Sequence, residues 1–260
     1  MSNNNLFVVG TGIRSVGQVT IEARNLIIGS EMLLYLVADP ITEAWIKSLN
    51  PKAESMADCY IEGRQRNETY REIVQRILER LRQGHDVCAV FYGHPGVFVN
   101  PSHEAIRQAR REGFTASMLP GISAEDCLFA DLGIDPGDHG CQSFEATDFL
   151  LQQRRFDPTS HLILWQVGVV GEIVFRHKTP YRREGLKVLS RELLRTYPAE
   201  QPVVLYEASV YAVCDPVMQR IALQELETTE VSTISTLYVT PLPQRPRPKD
   251  ILQRLGLRPE

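Results

Sequence analysis

The chain has 260 residues, 43% hydrophobic and 23% charged, an ordinary globular composition with apolar material enough for one large domain or two of medium size. A formal net charge of −4 argues against a nucleic-acid partner, which calls for a basic face. The start MSNNNLFVVG lacks a charged segment ahead of a long apolar one, and no apolar run approaches the ~20 residues that span a membrane, so the expected address is the cytoplasm.

Apolar runs of strand length occur at 6–10 (LFVVG), 32–38 (MLLYLVA), 87–92 (VCAVFY) and 115–119 (TASML). Between them lie helix-period segments. In TYREIVQRILERLRQG, Ile73, Ile77, Leu78 and Leu81 share one stripe. Thr69 and Glu72 read as a T-x-x-E capping box that starts this helix, with Tyr70 at its first position and Gly84 as its stop. PSHEAIRQARREG takes Ser102 as N-cap and Gly113 as stop, and Ser123 opens a further helix. Strand–helix alternation predicts a mostly parallel α/β sheet. GIDPGDHGCQSFEATDF then reads as a linker. HLILWQV (161–167), a helix near 185–196, PVVLYEA (202–208) and STISTLYVTP (232–241) predict a second α/β domain. The expected division is 1–138, an N-terminal α/β domain with a mostly parallel sheet; 139–245, a second α/β domain; and 246–260, a tail with a short helix around Ile251, Leu252 and Leu255. Arg245, Arg247 and Lys249, interleaved with prolines, read as a solvated part of that end.

Three stretches carry polar chemistry. In VVGTGIRSVGQ the third glycine of a dinucleotide fingerprint is replaced by Ser15, and Gly17 comes two residues late, so a tight strand-to-helix turn is favoured over a nicotinamide cradle. Tyr92-Gly93-His94-Pro95-Gly96 and Pro120-Gly121 both stand at strand exits, where open α/β sheets bind ligands, and two such exits suggest one shared pocket. In DCYIEGRQRNETY, Tyr60, Arg66 and Tyr70 fall in a polar loop running into a helix. Five cysteines with no CxxC read as reduced thiols. The six histidines include no HExxH, no metal site is expected, and no serine sits in G-x-S-x-G.

The GTG turn, YGHPGVF, PGISAEDCLFADLGIDPG, QSFEA, LILWQVGVVGE and STISTLYVTP together resemble the tetrapyrrole-methylase-like superfamily and, within it, the borosin peptide-backbone α-N-methyltransferases. The resemblance runs in order from Leu6 to about Gly256. It implies two α/β domains of the tetrapyrrole methylase (class III methyltransferase) type, with S-adenosylmethionine in the cleft between them and S-adenosylhomocysteine as its product. Carried over by matching motif, Tyr92, His94, Val97, Ser123, Ala124, Gln166, Ala208, Ser235 and Thr236 would line the cofactor. Tyr60, Arg66, Tyr70 and Tyr92 match the family's substrate-side catalytic groups, although the loop from Tyr60 to Arg66 is shorter than the family pattern. GTGIRS and YGHPG stand where tetrapyrrole methylases proper carry G-x-G-P-G-D and an acidic GDP-like loop, which shifts the expected substrate from a macrocycle to a peptide.

The residue types suit that chemistry. An amide nitrogen is a poor nucleophile until its N–H proton leaves, and the oxygen then becomes imidate-like. A phenol–phenolate can take the proton and Arg66 can stabilise the oxygen. Tyr92 or Tyr70 is the expected base and Tyr60 a positioner. The sequence ends at Glu260, after DILQRLGLRPE, with no peptide-like core behind it, so the expectation is the split type, acting on a separate precursor peptide, and the resemblance implies a homodimer. The rival readings are a methylase of a tetrapyrrole or other small molecule, and a peptide-binding homologue without catalysis.

Overall fold

The computed structural model describes residues 4–37, 39–176 and 183–258. The chain divides into two units: Met1–Ile134 with Gly171–Arg182 and Glu207–Val217, and Asp135–Val170 with Arg183–Tyr206 and Met218–Glu260. Neither unit is contiguous, unlike the division 1–138, 139–245 and 246–260 expected above. Two later segments return to the first unit.

The first unit is built on strands β1 (Asn5–Gly10), β2 (Met32–Leu36), β3 (Glu54–Ser55), β4 (Val87–Phe91) and β5 (Thr115–Met118) in the order β3-β2-β4-β1-β5. Its four pairings are all parallel. Helices α1 (Ile21–Gly29), α2 (Pro40–Leu49), α3 (Arg66–Arg82), α4 (Asn100–Arg111) and α5 (Ala124–Leu132) alternate with them. The continuous apolar strands follow from burial on both faces. Leu6, Val8, Leu34, Ala89 and Phe91 join the core containing α3 and α4 residues, while Val9, Leu33, Tyr35, Cys88 and Val90 join the one containing α1 and α2 residues. From β1 the chain leaves toward β2, and from β4 it crosses to β5, so the exits of β1 and β4 form a topological switch point.

Two expected helix starts move. α3 begins at Arg66, not at a Thr69 cap. Gly63 N donates to Phe175 O (2.9 Å), Phe175 N to Arg64 O (2.9 Å) and Arg66 N to Ile173 O (3.0 Å), so residues 63–66 pair with 173–175 and satisfy the first amide of the helix. Thr69 instead lies on the buried stripe with Ile73, Ile77 and Leu81. α4 begins at Asn100, with Pro101 in its first turn; the Ser102 hydroxyl turns back to the carbonyls of Val99 (2.8 Å) and Pro95. Ser123 does cap α5, in a reciprocal capping box with Asp126.

The second unit is a mixed sheet in the order β6-β7-β10-β8-β9, with β6 Cys141–Glu145, β7 His161–Trp165, β8 Pro202–Glu207, β9 Val217–Ala222 and β10 Thr236–Val239. β6 is parallel to β7, and β10 is antiparallel to both β7 and β8. The stretch read as a linker holds α6 (Pro136–His139), β6 and α7 (Ala146–Leu151). Gly133 caps the end of α5, Pro136, Gly137 and Gly140 fall in the short α6 turn, and the polar residues of β6 are only partly buried. Leu186, Leu189 and Leu193 of α8 (Glu184–Leu193) pack with β7, β8 and β10 residues into one core. α9 (Lys249–Arg254) is short, as expected, and buries Leu252. Among the described residues no helix is long and apolar enough to cross a membrane.

Candidate functional site

The glycines at the switch point serve close backbone approach. Gly12 and Gly93 bridge the exits of β1 and β4. A Cβ on Gly10 would lie 2.0 Å from Gly93 O, and one on Gly121 would lie 3.4 Å from the same atom. The GTG, YGHPG and PGI stretches therefore meet one another, which is the tight-turn reading of GTG. His94 Nδ1 accepts from Gly96 N (2.9 Å) and Val97 N donates to His94 O (3.3 Å), which closes the YGHPGVF loop on itself. His94 Nε2 and the N–H of Ala124, the first of α5, have no partner among the described residues.

Tyr92 N donates to Leu36 O (3.1 Å), tying the β4 exit to the β2 exit. Burial pushes its phenol up to about 12, and Cys127 and Asp39 add to the rise. Asp39 caps α2 through Thr42 N (2.8 Å) and accepts from Ser15 Oγ (2.9 Å). Burial works to raise the Asp39 carboxyl, but the bonds from Thr42 and Ser15 outweigh it and leave the group below its ordinary value. The Asp39-Pro40 pair at a helix start was the signal that could have placed it.

Tyr60, Arg66 and Tyr70 come together. Burial pushes the Tyr60 phenol up to about 12, the neighbouring Tyr70 adds to the rise, and the Arg66 guanidinium opposes it. Arg66 is the first residue of α3 and Tyr70 lies one turn on, on the same face. Phe175 meets the Tyr60 ring edge-on, with centroids 5.0 Å apart. The Arg66 side chain is half-buried and makes no ion pair or hydrogen bond among the described residues. Tyr92 keeps different company, Cys127 and Asp39, so the four expected catalytic groups form a trio and a single residue. Nothing in the sequence pointed to Phe175, which stands more than a hundred positions from Tyr60.

A cavity of about 290 Å³ opens in the first unit beside Arg14, Gln18, Ile122, Cys127 and Ser209. Gln18 Oε1 accepts from Ile13 N (2.9 Å) and Arg14 N (2.8 Å), so the loop after GTG is shaped by Gln18. Ala208 is half-buried directly after β8.

In the second unit Gln166 leaves β7 with φ 62 and ψ 37, a left-handed backbone that a non-glycine residue adopts only under constraint. Its side chain has no hydrogen-bond partner among the described residues. Val167 N donates to Ser235 O (3.1 Å), and Ser232 N to Ser235 Oγ (2.8 Å). A Cβ on Gly168 would lie 1.9 Å from Ser232 O, so glycine lets these turns touch. Ser235 and Thr236 are both buried. Among the described residues no cluster of His, Cys, Asp and Glu has the makings of a metal site.

A family model, Tetrapyrrole (Corrin/Porphyrin) Methylases, matches residues 5–214. The chain belongs to this family. This tetrapyrrole methylase family member is 43% identical, over 97% of its length, to the methyltransferase/ribosomally synthesized cyclic peptide gymnopeptides precursor of Gymnopus fusipes. It is 42% identical, again over 97% of its length, to the methyltransferase/ribosomally synthesized type I borosin cyclic peptide precursor of Coprinopsis marcescibilis. The chain spans 61% and 66% of the lengths of those two relatives. The resemblance read from the motifs thus meets relatives that bear the borosin name. Among solved structures, uroporphyrin-III C-methyltransferase from Thermus thermophilus matches with a TM-score of 0.65 at 18% identity, covering 92% of this chain and 93% of that one. At that identity the likeness is one of fold. Its complex with S-adenyl homocysteine matches with a TM-score of 0.60.

Proposed function

We propose that the protein is an S-adenosylmethionine-dependent methyltransferase that α-N-methylates backbone amides of a peptide. The observation that carries the reading is the half-buried Arg66, without an ion pair among the described residues, beside Tyr60 and Tyr70, in a chain 43% identical to a methyltransferase/cyclic peptide precursor. The Ala124 N–H and His94 Nε2 in the first unit and the Gln166 amide in the second, without partners among the described residues, are hydrogen-bonding groups of the kind an adenine nucleoside with an amino-acid tail requires. Tyr92, Val97, Ser123, Ala208, Ser235 and Thr236 remain proposed cofactor contacts.

When bound, S-adenosylmethionine supplies a methyl group on a sulfonium. Arg66 then faces the amide oxygen, which becomes negative only as the N–H proton leaves, and stabilises it there. Tyr70, once ionised to its phenolate, takes the proton in this reading, because it shares Arg66's face of α3, whereas burial and Asp39 hold Tyr92 as the neutral phenol. Tyr60, wedged on Phe175, orients the amide. Alignment of the nitrogen with the methyl supplies the rest of the acceleration.

The relatives' names join methyltransferase and precursor. The finer reading, a peptide presented on a separate chain, is decided by mass. The protein is incubated with S-adenosylmethionine, with and without a synthetic peptide from the precursor portion of the Gymnopus fusipes relative. Methyl steps on the peptide and none on the protein are expected. Methyl groups on the protein itself would replace the separate peptide by one in the same chain, and calorimetry showing no binding of either sulfur cofactor would remove the methyltransferase reading. A homodimer is part of the proposal, and light scattering reads the mass.

A further inference from the structure

One ionic chain ties both sides of the loop bearing Tyr60 and Arg66 to the body of α3. Asp58, two residues before Tyr60, accepts from both Arg76 nitrogens, each at 2.6 Å. Arg76 Nη2 also donates to Glu72 Oε1 (2.8 Å). The other oxygen of Glu72 accepts from Arg64 Nη1. Arg64 Nη1 reaches in addition to the carbonyl of Cys59, the residue before Tyr60 (3.3 Å). Glu72 therefore uses one oxygen on the clamp ahead of Tyr60 and the other on the clamp ahead of Arg66. It also engages Arg64 and Arg76, and Arg66 has no ion pair among the described residues.

We propose that Glu72 is a positioning residue for the methyl transfer: it fixes the Tyr60–Arg66 loop on α3 and, by engaging Arg64 and Arg76, leaves the Arg66 guanidinium for the substrate oxygen. This rests on the function proposed above. A lone exposed ion pair contributes little, but here a two-pronged carboxylate–guanidinium contact, a shared carboxylate and a bond to a loop carbonyl act on one short segment. Glu72 Oε1 and Oε2 pull in different directions along α3, and only a bridging carboxylate of this length reaches both arginines. Losing it leaves Arg76 held by Asp58 alone and Arg64 by the Cys59 carbonyl alone, so the tie between the two sides of the loop is lost and Tyr60 and Arg66 drift; a displacement of about 1 Å at a reacting group costs about 10²-fold in rate.

The test is single-turnover methylation of the synthetic Gymnopus-relative peptide at saturating peptide and S-adenosylmethionine, with cofactor and peptide affinities read separately by calorimetry. Glu72→Gln is expected to lower the rate about 10- to 100-fold with both affinities within about threefold, since the loss falls on the transition state. Glu72→Asp, which keeps the charge, is expected to recover part of the rate, and Glu79→Gln, on the same helix but outside the chain of contacts, to match the wild type. Asp58→Asn opens only the outer clamp on an exposed residue, so it tests the same idea in a protein that folds; a several-fold loss of rate is expected. With the wild type active, normal rates in both Glu72→Gln and Asp58→Asn, or a loss confined to binding, overturn the positioning role. A wild type inactive on every peptide overturns the function itself and the proposal with it.

Discussion

Gly12 and Gly93 exchange both backbone hydrogen bonds, Gly12 N to Gly93 O at 3.2 Å and Gly93 N to Gly12 O at 3.0 Å. This bridge joins the exits of β1 and β4 where the sheet changes direction, so the loop carrying Tyr92 and His94 is fixed by backbone rather than by side chains. Gly10 stands directly beneath it. Gly10→Ala would drive a methyl to 2.0 Å from Gly93 O, a contact with backbone that has nowhere to retreat. A destabilisation of about 3 kcal/mol is expected, seen as a lower Tm, with cofactor affinity falling in parallel.

Arg66→Ala is expected to leave cofactor and peptide affinity within a few-fold and to cut methylation by ~10²-fold or more, the scale of removing one oxyanion donor. Arg66→Lys should rescue only in part, because an ammonium lacks the planar fork. Single-turnover mass spectrometry at saturating peptide measures both. A normal rate with weak peptide binding would make Arg66 a docking residue.

Gln166 holds a left-handed backbone at φ 62, and glycine adopts that conformation freely. Gln166→Gly is therefore expected to raise stability by about 1 kcal/mol while weakening S-adenosylmethionine binding about tenfold, through loss of the side-chain amide. Gln166→Ala should weaken binding equally without the gain. Thermal melts and calorimetry separate the two effects.

Thr69 is fully buried and its hydroxyl has no partner among the described residues. Thr69→Val keeps the shape and removes the unpaired group, so the variant should gain up to about 1 kcal/mol in denaturant unfolding. A loss of similar size would mean that the hydroxyl is bonded through water.

The Tyr60 and Tyr92 phenols are raised from 10.0 to about 12 in the fold. Below pH 10 both states hold these protons and nothing is lost. As the pH rises further, the unfolded chain releases protons that the folded chain keeps, so stability falls between pH 10 and about 12. Tyr60→Phe with Tyr92→Phe should flatten that fall in denaturant titrations across this window. An unchanged slope would place the titration on other groups.

The parallel sheet of the first unit was legible because its strands are buried on both faces and read as unbroken apolar runs, as in Val87–Phe91. β6 was not: its residues, CQSFE, are all half-buried and mostly polar, and a parallel partner twenty residues away leaves no local mark. Thr69 and Ser102 looked like helix caps because the residue types fit. The decisive contacts, Arg66 N on Ile173 O and the Ser102 hydroxyl on Pro95 O, depend on chain segments that propensity does not see. Tyr60, Arg66, Tyr70 and Tyr92 were found through motif resemblance. Phe175, Asp39 and the Asp58–Arg76–Glu72–Arg64 chain appeared only once the fold had brought them together.

The pairing of residues 63–66 with 173–175 has a consequence for how the molecule is made. The first turn of α3 emerges early in synthesis, yet the carbonyl that holds its first amide belongs to a residue on the order of a hundred positions later, a long loop to close. A chain severed after Ile134 would keep the parallel sheet and still lack Ile173 and Phe175, the backbone splint and the ring beneath Tyr60. The loop from Tyr60 to Arg66 is thus pinned only after β6 and β7 have been translated. A nascent or truncated chain would carry its arginine and tyrosines in a loose segment, without the geometry to use them.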